Sequence, residues 1–322
     1  MPQKDSITQV KGNFKGKSIL SLDQFSTSDL DIVFKQADKM KQLVQTQGGS
    51  DLLKGKMVAG LFYEPSSRTF TSFMTAAQRL GAGIIPLLGM QASSVAKGET
   101  IEDTIRTFGC NVDAVVMRHP QVGSVGLAAK YSYVPVLNAG DGIGEHPTQA
   151  VLDMFTIREK FGSLDNITGV LTGDLLNGRT THSLIRGLSL FKNVTIYALT
   201  PGKLKLSRED YENFTERGVK IVEISEVADI PKNANFWYWT RVQKERFEDL
   251  NEYEALKHKY IMTKQLVTDY AGSDTLLMHP LPRVGEIETD VDTDPRAVYI
   301  KTQMQNGVYT RMALLALVLG KA

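Results

Sequence analysis

The chain has a single cysteine, Cys110, in 322 residues. No internal disulfide can staple it, and that scarcity fits a reducing compartment, which points to the cytoplasm. It has almost no net charge: 37 Lys and Arg against 36 Asp and Glu leave +1. Nucleic-acid or membrane-surface binding driven by bulk charge is excluded as the main function, and any anion site must be local. Long apolar runs are missing as well. The longest, 312–319, is too short to span a bilayer and reads as the buried face of a final helix. The start of the chain, 1–17, is polar and lysine-rich, with neither the apolar stretch of a signal peptide nor an arginine-rich transit pattern. No repeat, low-complexity tract or Gly/Ser-rich linker interrupts the sequence. No grouping of Cys, His and carboxylate has metal-ligand spacing, so neither metal nor cofactor is expected. Cys110 closes an amphipathic helical pattern and is expected in the core.

What is present is an ordinary globular composition, 42% hydrophobic and 23% charged, on a chain long enough for two domains. Cap residues at 26–29 precede a helical stripe of Leu30, Val33, Phe34, Ala37, Met40 and Val44. Short apolar runs follow at 57–63, 84–88, 114–117 and 134–137, separated by helical patterns at 70–80, 99–108 and 125–131. After a helix begun by Pro147, further runs occur at 168–172, 194–199, 220–224, 235–239 and 276–278. Strands alternating with helices predict an α/β fold of two doubly wound parallel-sheet domains, 1–150 and 151–304. The boundary is expected in or around the Pro147 helix, with a C-terminal helix at about 305–322 packing back on the first domain.

In parallel sheets ligands bind beyond the carboxyl ends of the strands, so the residues just after each apolar run are the informative ones. The first run leads into Tyr63-Glu64-Pro65-Ser66-Ser67-Arg68-Thr69, a strand, a tight loop and a helix start. Hydroxyls, first-turn amides and the helix dipole there suit an anion, and Arg68 can grip two oxygens of one phosphate. Taken alone, the segment reads equally as an N-cap cluster with Arg68 in solvent. Later runs lead to Arg118-His119-Pro120, to a glycine-rich loop ending in His146-Pro147-Thr148-Gln149, to Gly173-Asp174 and Arg179, to Thr240-Arg241-Val242-Gln243, and to His279-Pro280-Leu281-Pro282-Arg283. One arginine near a strand end is ordinarily a surface residue. Several on one edge, with Arg68, suit two polyanionic ligands or one with several acidic groups. His119, His182 and His279 read as structural, and the loop with Asp174 and Asn177 lacks the G-x-G-x-x-G spacing of a dinucleotide site.

These motifs resemble the aspartate and ornithine transcarbamoylases. Ser66-Ser67-Arg68-Thr69 is similar to the family's carbamoyl-phosphate signature, and Arg118-His119-Pro120 and His146-Pro147-Thr148-Gln149 to its second and third binding loops. The segments from Thr240 to Arg246 and from His279 to Arg283 resemble the aspartate branch; the Ser-Met-Gly and His-Cys-Leu-Pro motifs of the ornithine branch are missing. The resemblance runs from about Lys17 to Gly320. It implies transfer of a carbamoyl group from carbamoyl phosphate to L-aspartate, an early step of pyrimidine biosynthesis. It also implies an active site between the two domains and at a subunit interface of a homotrimer, with 1–150 binding carbamoyl phosphate and 151–304 binding aspartate.

Position by position, the resemblance implies that Ser66, Ser67, Arg68 and Thr69 bind the phosphate and that Arg118 bridges phosphate and carbonyl oxygen. His146 would donate to that carbonyl oxygen, while Gln149 and the backbone oxygens of Leu281 and Pro282 hold the carbamoyl amide. Arg179, Arg241 and Gln243 would hold the carboxylates of aspartate, and Glu64 would orient Arg179. A mobile loop, 92–100, would deliver Lys97 and either Ser93 or Ser94 to a neighbouring subunit. By itself that loop reads as solvated, with Gly98 as punctuation. Acyl transfer to an amine passes through an oxyanion, for which Thr69, Arg118 and His146 are the candidate donors, and no covalent enzyme intermediate is expected. Phe70 stands where many members carry a second arginine, the mobile loop is one residue short, and the strand Phe236-Trp237-Tyr238-Trp239 replaces a lighter aliphatic one. The short loop and Glu145-His146-Pro147 look closer to eukaryotic members, where the unit is free-standing or one domain of a larger pyrimidine-pathway polypeptide. The alternatives are a transcarbamoylase for another amino acid and a catalytically silent trimeric scaffold. The first is disfavoured by Arg179 and Arg241, and the second by the retention of Arg68, Lys97 and His146.

Overall fold

A computed structural model describes residues 8–89, 94–243, 247, 249–256 and 259–322. The chain divides into two compact units: 1–152 with 305–322, and 153–304. The divisions fall inside two continuous helices, Pro147–Phe161 and Thr302–Val318, so neither crossing of the chain is a loop.

In the first unit α1 (Thr27–Gln47) starts at Ser26, whose hydroxyl accepts the Asp29 amide while Asp29 bonds back, and ends at left-handed Gly48. Then come β1 (Met57–Phe62), α2 (Ser67–Arg79), β2 (Gly83–Leu88), α3 (Ile101–Gly109), β3 (Ala114–His119), α4 (Ser124–Tyr131), β4 (Val136–Asp141) and the start of α5 (Pro147–Phe161). The four strands are parallel in the order β2-β1-β3-β4. Their apolar character is nearly continuous because helices cover both faces. On one face Ala59, Leu61, Val115, Met117 and Val136 pack with Ile105 of α3 and Val125 of α4.

β3 and β4 run further than their apolar residues suggest. Arg118 and His119 lie within β3, and Asn138 to Asp141, read above as loop, continue β4 through the pairing of His119 with Asp141 after a register shift. Cys110 is exposed rather than buried. Ile105 and Gly109, four apart, fill the buried face of α3, and the next residue is rotated about 100° from it.

The second unit holds β5 (Thr168–Thr172), α6 (Arg179–Leu188), β6 (Thr195–Leu199), α7 (Arg208–Glu216), β7 (Lys220–Ile224), β8 (Phe236–Trp239), α8 (Leu250–Leu256), α9 (Lys264–Tyr270) and β9 (Leu276–Met278). Its five strands are parallel in the order β7-β6-β5-β8-β9. β8 alternates as a strand must: Trp237 and Trp239 enter one cluster with Val170, Leu277, Met262 and Tyr299, while Tyr238 faces the other way. Phe236 pairs with Gly169 in β5, where an added Cβ would stand 2.2 Å from the Phe236 ring. Glycine there makes room for the bulk of β8.

α10 (Thr302–Val318) closes the chain, and its residues from Gln305 onward belong to the first unit. Met312 to Ala316 are buried on every side of that helix rather than along one face. Among the described residues no helix is long and apolar enough to cross a membrane.

Candidate functional site

In a doubly wound sheet, the loops leaving two adjacent strands toward opposite faces open a crevice where the strand order reverses. The first unit reverses between β1 and β3 and the second between β5 and β8. Arg68 and Arg118 follow or end the first pair of strands, and Arg179 and Arg241 follow the second pair.

At the first switch point β1 runs out through Tyr63, whose amide donates to Arg118 O at 2.9 Å, so the chain after β1 stays beside β3. This brings Glu64 to Arg118: its Oε2 lies 2.6 Å from Nη2. Arg118 Nη1 also donates to Ala139 O at 3.3 Å, anchoring the buried guanidinium between the ends of β1 and β4. Ser66 stands at the N-cap of α2, yet its hydroxyl makes no capping bond. The helices α1, α3, α7 and α9, by contrast, start at Ser26, Thr100, Ser207 and Thr263, whose side chains each accept a first-turn amide. A helix start with no side-chain cap leaves its amides for an anion. Ser67 and Arg68 are exposed there, Ser66 is half-buried and Thr69 is buried.

His146 and Gln149 are buried at the start of α5, where His146 O accepts the amides of Gln149 and Ala150 at 3.0 and 3.2 Å. The Thr148 hydroxyl lies 3.5 Å from His146 Nδ1, a long contact that favours a proton on Nε2 when the hydroxyl is the donor. Glu145 just before accepts from Ser21 Oγ at 2.6 Å and from the Leu22 amide at 3.1 Å, which fixes the approach to His146. His119 is structural: Nδ1 accepts the Gln121 amide at 3.1 Å, the ring packs on Tyr63, and burial pulls its pKa down despite that bond and nearby Glu64. Ser94 and Lys97 bound a short 3-10 turn, and both are exposed. Ser93 and Lys244-Glu245-Arg246 lie outside the described residues.

At the second switch point β5 leads into Gly173, at φ +110°, where a Cβ would stand 2.2 Å from Thr240 O. Only glycine allows the start of the Arg241 loop to lie so close. Thr240 is tied back to Thr172 O by its amide at 2.9 Å and its hydroxyl at 2.8 Å. The buried Asp174 carboxylate then accepts the Asn177 amide at 2.9 Å and the Gln243 side-chain amide at 3.4 Å. Gln243 Nε2 also donates to Asn177 O at 3.1 Å, so Asp174 and Asn177 together hold Gln243. α6 starts at Gly178, again without a side-chain cap, with half-buried Arg179 as its first residue.

Leu281 and Pro282 sit in a loop gripped from inside. His279 Nδ1 accepts the Leu281 amide at 2.7 Å, its Nε2 lies 2.7 Å from Glu286 Oε1, and Glu286 Oε2 accepts the Val284 amide at 2.8 Å. Burial alone would raise the Glu286 carboxyl; the His279 hydrogen bond and the amide bonds outweigh it and hold it below the usual carboxylate range. Arg283 forms a two-armed pair with Asp292 at 2.5 and 2.9 Å. Leu281 has φ +55°, a strained value for a branched side chain, and the Leu281–Pro282 peptide is cis.

Two features escape a reading of the sequence. One is Asp174 as the holder of Gln243, for which the only signal is an acidic residue straight after a strand-end glycine. The other is the His279–Glu286 clamp, marked by a carboxylate seven residues after a strand-end histidine. Within its own unit Glu64 also pairs with Arg118, a contact that the sequence does not announce.

Residues 17–159 match the family described as aspartate/ornithine carbamoyltransferase, carbamoyl-P binding domain, and residues 165–318 match its Asp/Orn binding domain. The chain is 49% identical over 305 residues to multifunctional protein pyr1-3 of Dictyostelium discoideum, covering 95% of this chain but 14% of that protein. It is 43% identical to the aspartate carbamoyltransferase catalytic subunit of Methanocaldococcus jannaschii, covering 93% and 96% of the two chains. It resembles the crystal structure of Trypanosoma cruzi aspartate transcarbamoylase in complex with carbamoyl phosphate and aspartate with a TM-score of 0.89 at 38% identity, over 97% and 99% of the chains.

Proposed function

The chain belongs to the aspartate/ornithine carbamoyltransferase family, and from that premise we propose that it is an aspartate carbamoyltransferase, converting carbamoyl phosphate and L-aspartate to N-carbamoyl-L-aspartate and phosphate in pyrimidine biosynthesis. The observation that carries the reading is that each sheet's switch point ends in arginines beside a helix start with no side-chain cap. That is a repeated arrangement for anions. Two such places suit a reaction whose substrates are a phosphate ester and a dicarboxylate.

In this reading Ser66, Ser67, Arg68 and Thr69 bind the phosphate. The aspartate amine attacks the carbonyl carbon, the C–N bond forms, and the oxyanion is met by Thr69, Arg118 and His146. The C–O bond to phosphate then breaks, and the departing phosphate takes the proton from nitrogen. Gln149 and the carbonyls of Leu281 and Pro282 hold the carbamoyl amide. Arg179, Arg241 and Gln243 hold the carboxylates, so 1–150 serves carbamoyl phosphate and 151–304 serves aspartate. Phosphate is a good leaving group, so alignment of amine and carbonyl is the main demand on the protein.

Incubation of the purified chain with carbamoyl phosphate and a panel of amino acids, measuring phosphate and ureido product, tests the assignment. Aspartate is expected to be strongly preferred; preference for another acceptor overturns it. Cytoplasmic location and membership of a larger polypeptide, as in the relative of which the chain spans 14%, belong to the same proposal.

A homotrimer in which Lys97, with Ser93 or Ser94, serves a neighbouring subunit is also proposed. A loop passed head to tail must close into a ring or run on as a filament. Lys97→Ala and Arg68→Ala chains, each nearly inactive, should regain about a quarter of wild-type activity when dissociated and reassociated in equal amounts, because about one site in four is then intact. Mixed trimers that form and stay inactive would place Lys97 in its own chain's site or in none.

A further inference from the structure

The second unit contains a buried hydrogen-bond chain that ends on the loop carrying Leu281 and Pro282. Asp153, on α5, is fully buried; its Oδ1 accepts Gln303 Nε2–H at 2.7 Å and its Oδ2 accepts the Tyr238 hydroxyl at 2.8 Å. Gln303, in the first turn of α10 and 2% exposed, turns its own oxygen to the His279 amide at 3.1 Å. His279 passes the constraint on, since its Nδ1 accepts the Leu281 amide at 2.7 Å. One continuous line of donors and acceptors thus runs from α5 through α10 to the residue whose carbonyl is at issue. Each link has a defined direction: a carboxylate only accepts, so Gln303 must point its NH2 at Asp153 and its oxygen at His279.

We propose that Asp153 and Gln303 are positioning residues that fix the carbonyls of Leu281 and Pro282 through the His279 amide, and so set the affinity of the site for a carbamoyl amide. This rests on the reading that those carbonyls hold the amide. A buried carboxylate is costly unless well bonded, and a purely apolar core would serve packing as well. What an apolar residue at 303 cannot do is choose one orientation for the His279 amide. The loop needs that orientation because Leu281 holds φ +55°, a backbone state that persists only where its surroundings over-determine it. His279 and Glu286 brace the loop from within, and Gln303 is its tie to the two helices outside it.

The test compares two probes on the full chain: phosphonoacetamide, which has an amide and a phosphonate, and inorganic phosphate, which has no amide. Gln303→Leu keeps the shape of the side chain and removes both of its hydrogen bonds. It is expected to weaken phosphonoacetamide about tenfold while phosphate stays within about twofold. Asp153→Asn, which keeps an acceptor for Gln303, should retain near wild-type selectivity, whereas Asp153→Ala should behave like Gln303→Leu. Tyr238→Phe, which leaves the line to His279 intact, should lower thermal stability without moving the ratio of the two affinities. Parallel loss of both probes, or none, in Gln303→Leu overturns the inference even though aspartate carbamoylation by the wild type stands. If instead the wild type transfers no carbamoyl group and binds neither probe, the functional reading falls, and hydrogen exchange decides the inference. Faster exchange of the Leu281 and Val284 amides in Gln303→Leu than in wild type, with the rest of the second unit unchanged, supports it; equal exchange overturns it. The same exchange readout serves should Asp153→Ala fail to fold.

Discussion

The two switch points use the same topology and differ in what their acidic residue does. In the first unit Glu64, whose side chain is 31% exposed, faces the guanidinium of Arg118. In the second unit Asp174, 1% exposed, is bonded among the described residues by amides, the backbone of Asn177 and the side chains of Asn177 and Gln243. A partly exposed carboxylate opposite a buried guanidinium can give way to a competing anion, because the incoming anion takes over the pairing and the buried cation is not left alone. A buried carboxylate bonded by its own loop is permanent scaffolding, since removal leaves donors unmet in a dry place. The same residue class after the same kind of strand therefore makes an exchangeable contact in one unit and a fixed support in the other.

The sharpest way to separate the units is to remove one arginine from each. Arg241→Ala is expected to weaken aspartate by about 2–4 kcal/mol, roughly 30- to 1000-fold, and to leave carbamoyl phosphate nearly unchanged; Arg118→Ala should do the reverse. Titration calorimetry with each ligand reads both. Equal weakening of both ligands by either variant would show that the arginines organise the whole site rather than one substrate each.

The carboxylates come next in size. Asp174→Asn turns one acceptor into a donor facing buried amides and should cost about 1–3 kcal/mol, a fall of several degrees in Tm. Glu64→Gln, whose amide oxygen can still accept from the Arg118 guanidinium, should cost less, about 1 kcal/mol of stability. Thermal melts of the two variants side by side break the comparison if Glu64→Gln proves the more damaging.

The smallest effect is on acid sensitivity. Glu286 has its folded pKa held below the ordinary value, so its contribution is fully present above the unfolded pKa and is lost as pH falls through the lower folded one. Stability of the second unit should fall below about pH 4. Glu286→Gln should be less stable at neutral pH and should show a shallower acid decline. An unchanged slope in the variant would remove Glu286 from the set of carboxylates responsible.

Much of this arrangement is legible in the chain. The parallel sheets follow from apolar runs spaced by helical patterns, and Ser66-Ser67-Arg68-Thr69, ambiguous with an ordinary N-cap cluster by itself, gains meaning from the other arginines that follow strand ends. Which strands are neighbours is not legible, and so neither is the contact between Glu64 and Arg118, which depends on β1 lying beside β3. Periodicity also fails at the strand ends. β4 continues through Asn138, Gly140 and Asp141 because pairing with β3 satisfies its backbone, whatever its side chains prefer. Cys110 shows the same limit at a helix end, where one residue of rotation decides between core and solvent.

The bulk packed into β8 gives the molecule an optical asymmetry. The chain's two tryptophans, Trp237 and Trp239, lie on that one strand, buried and 5.6 Å apart. Indole emission therefore reports the second unit alone, from a place that leads within two residues to Arg241. A melt followed by indole emission and one followed by far-ultraviolet dichroism, which sees both units, coincide only if the units unfold as one. Any separation between the two curves measures, without a label or a mutation, how far the two halves of the chain are independent.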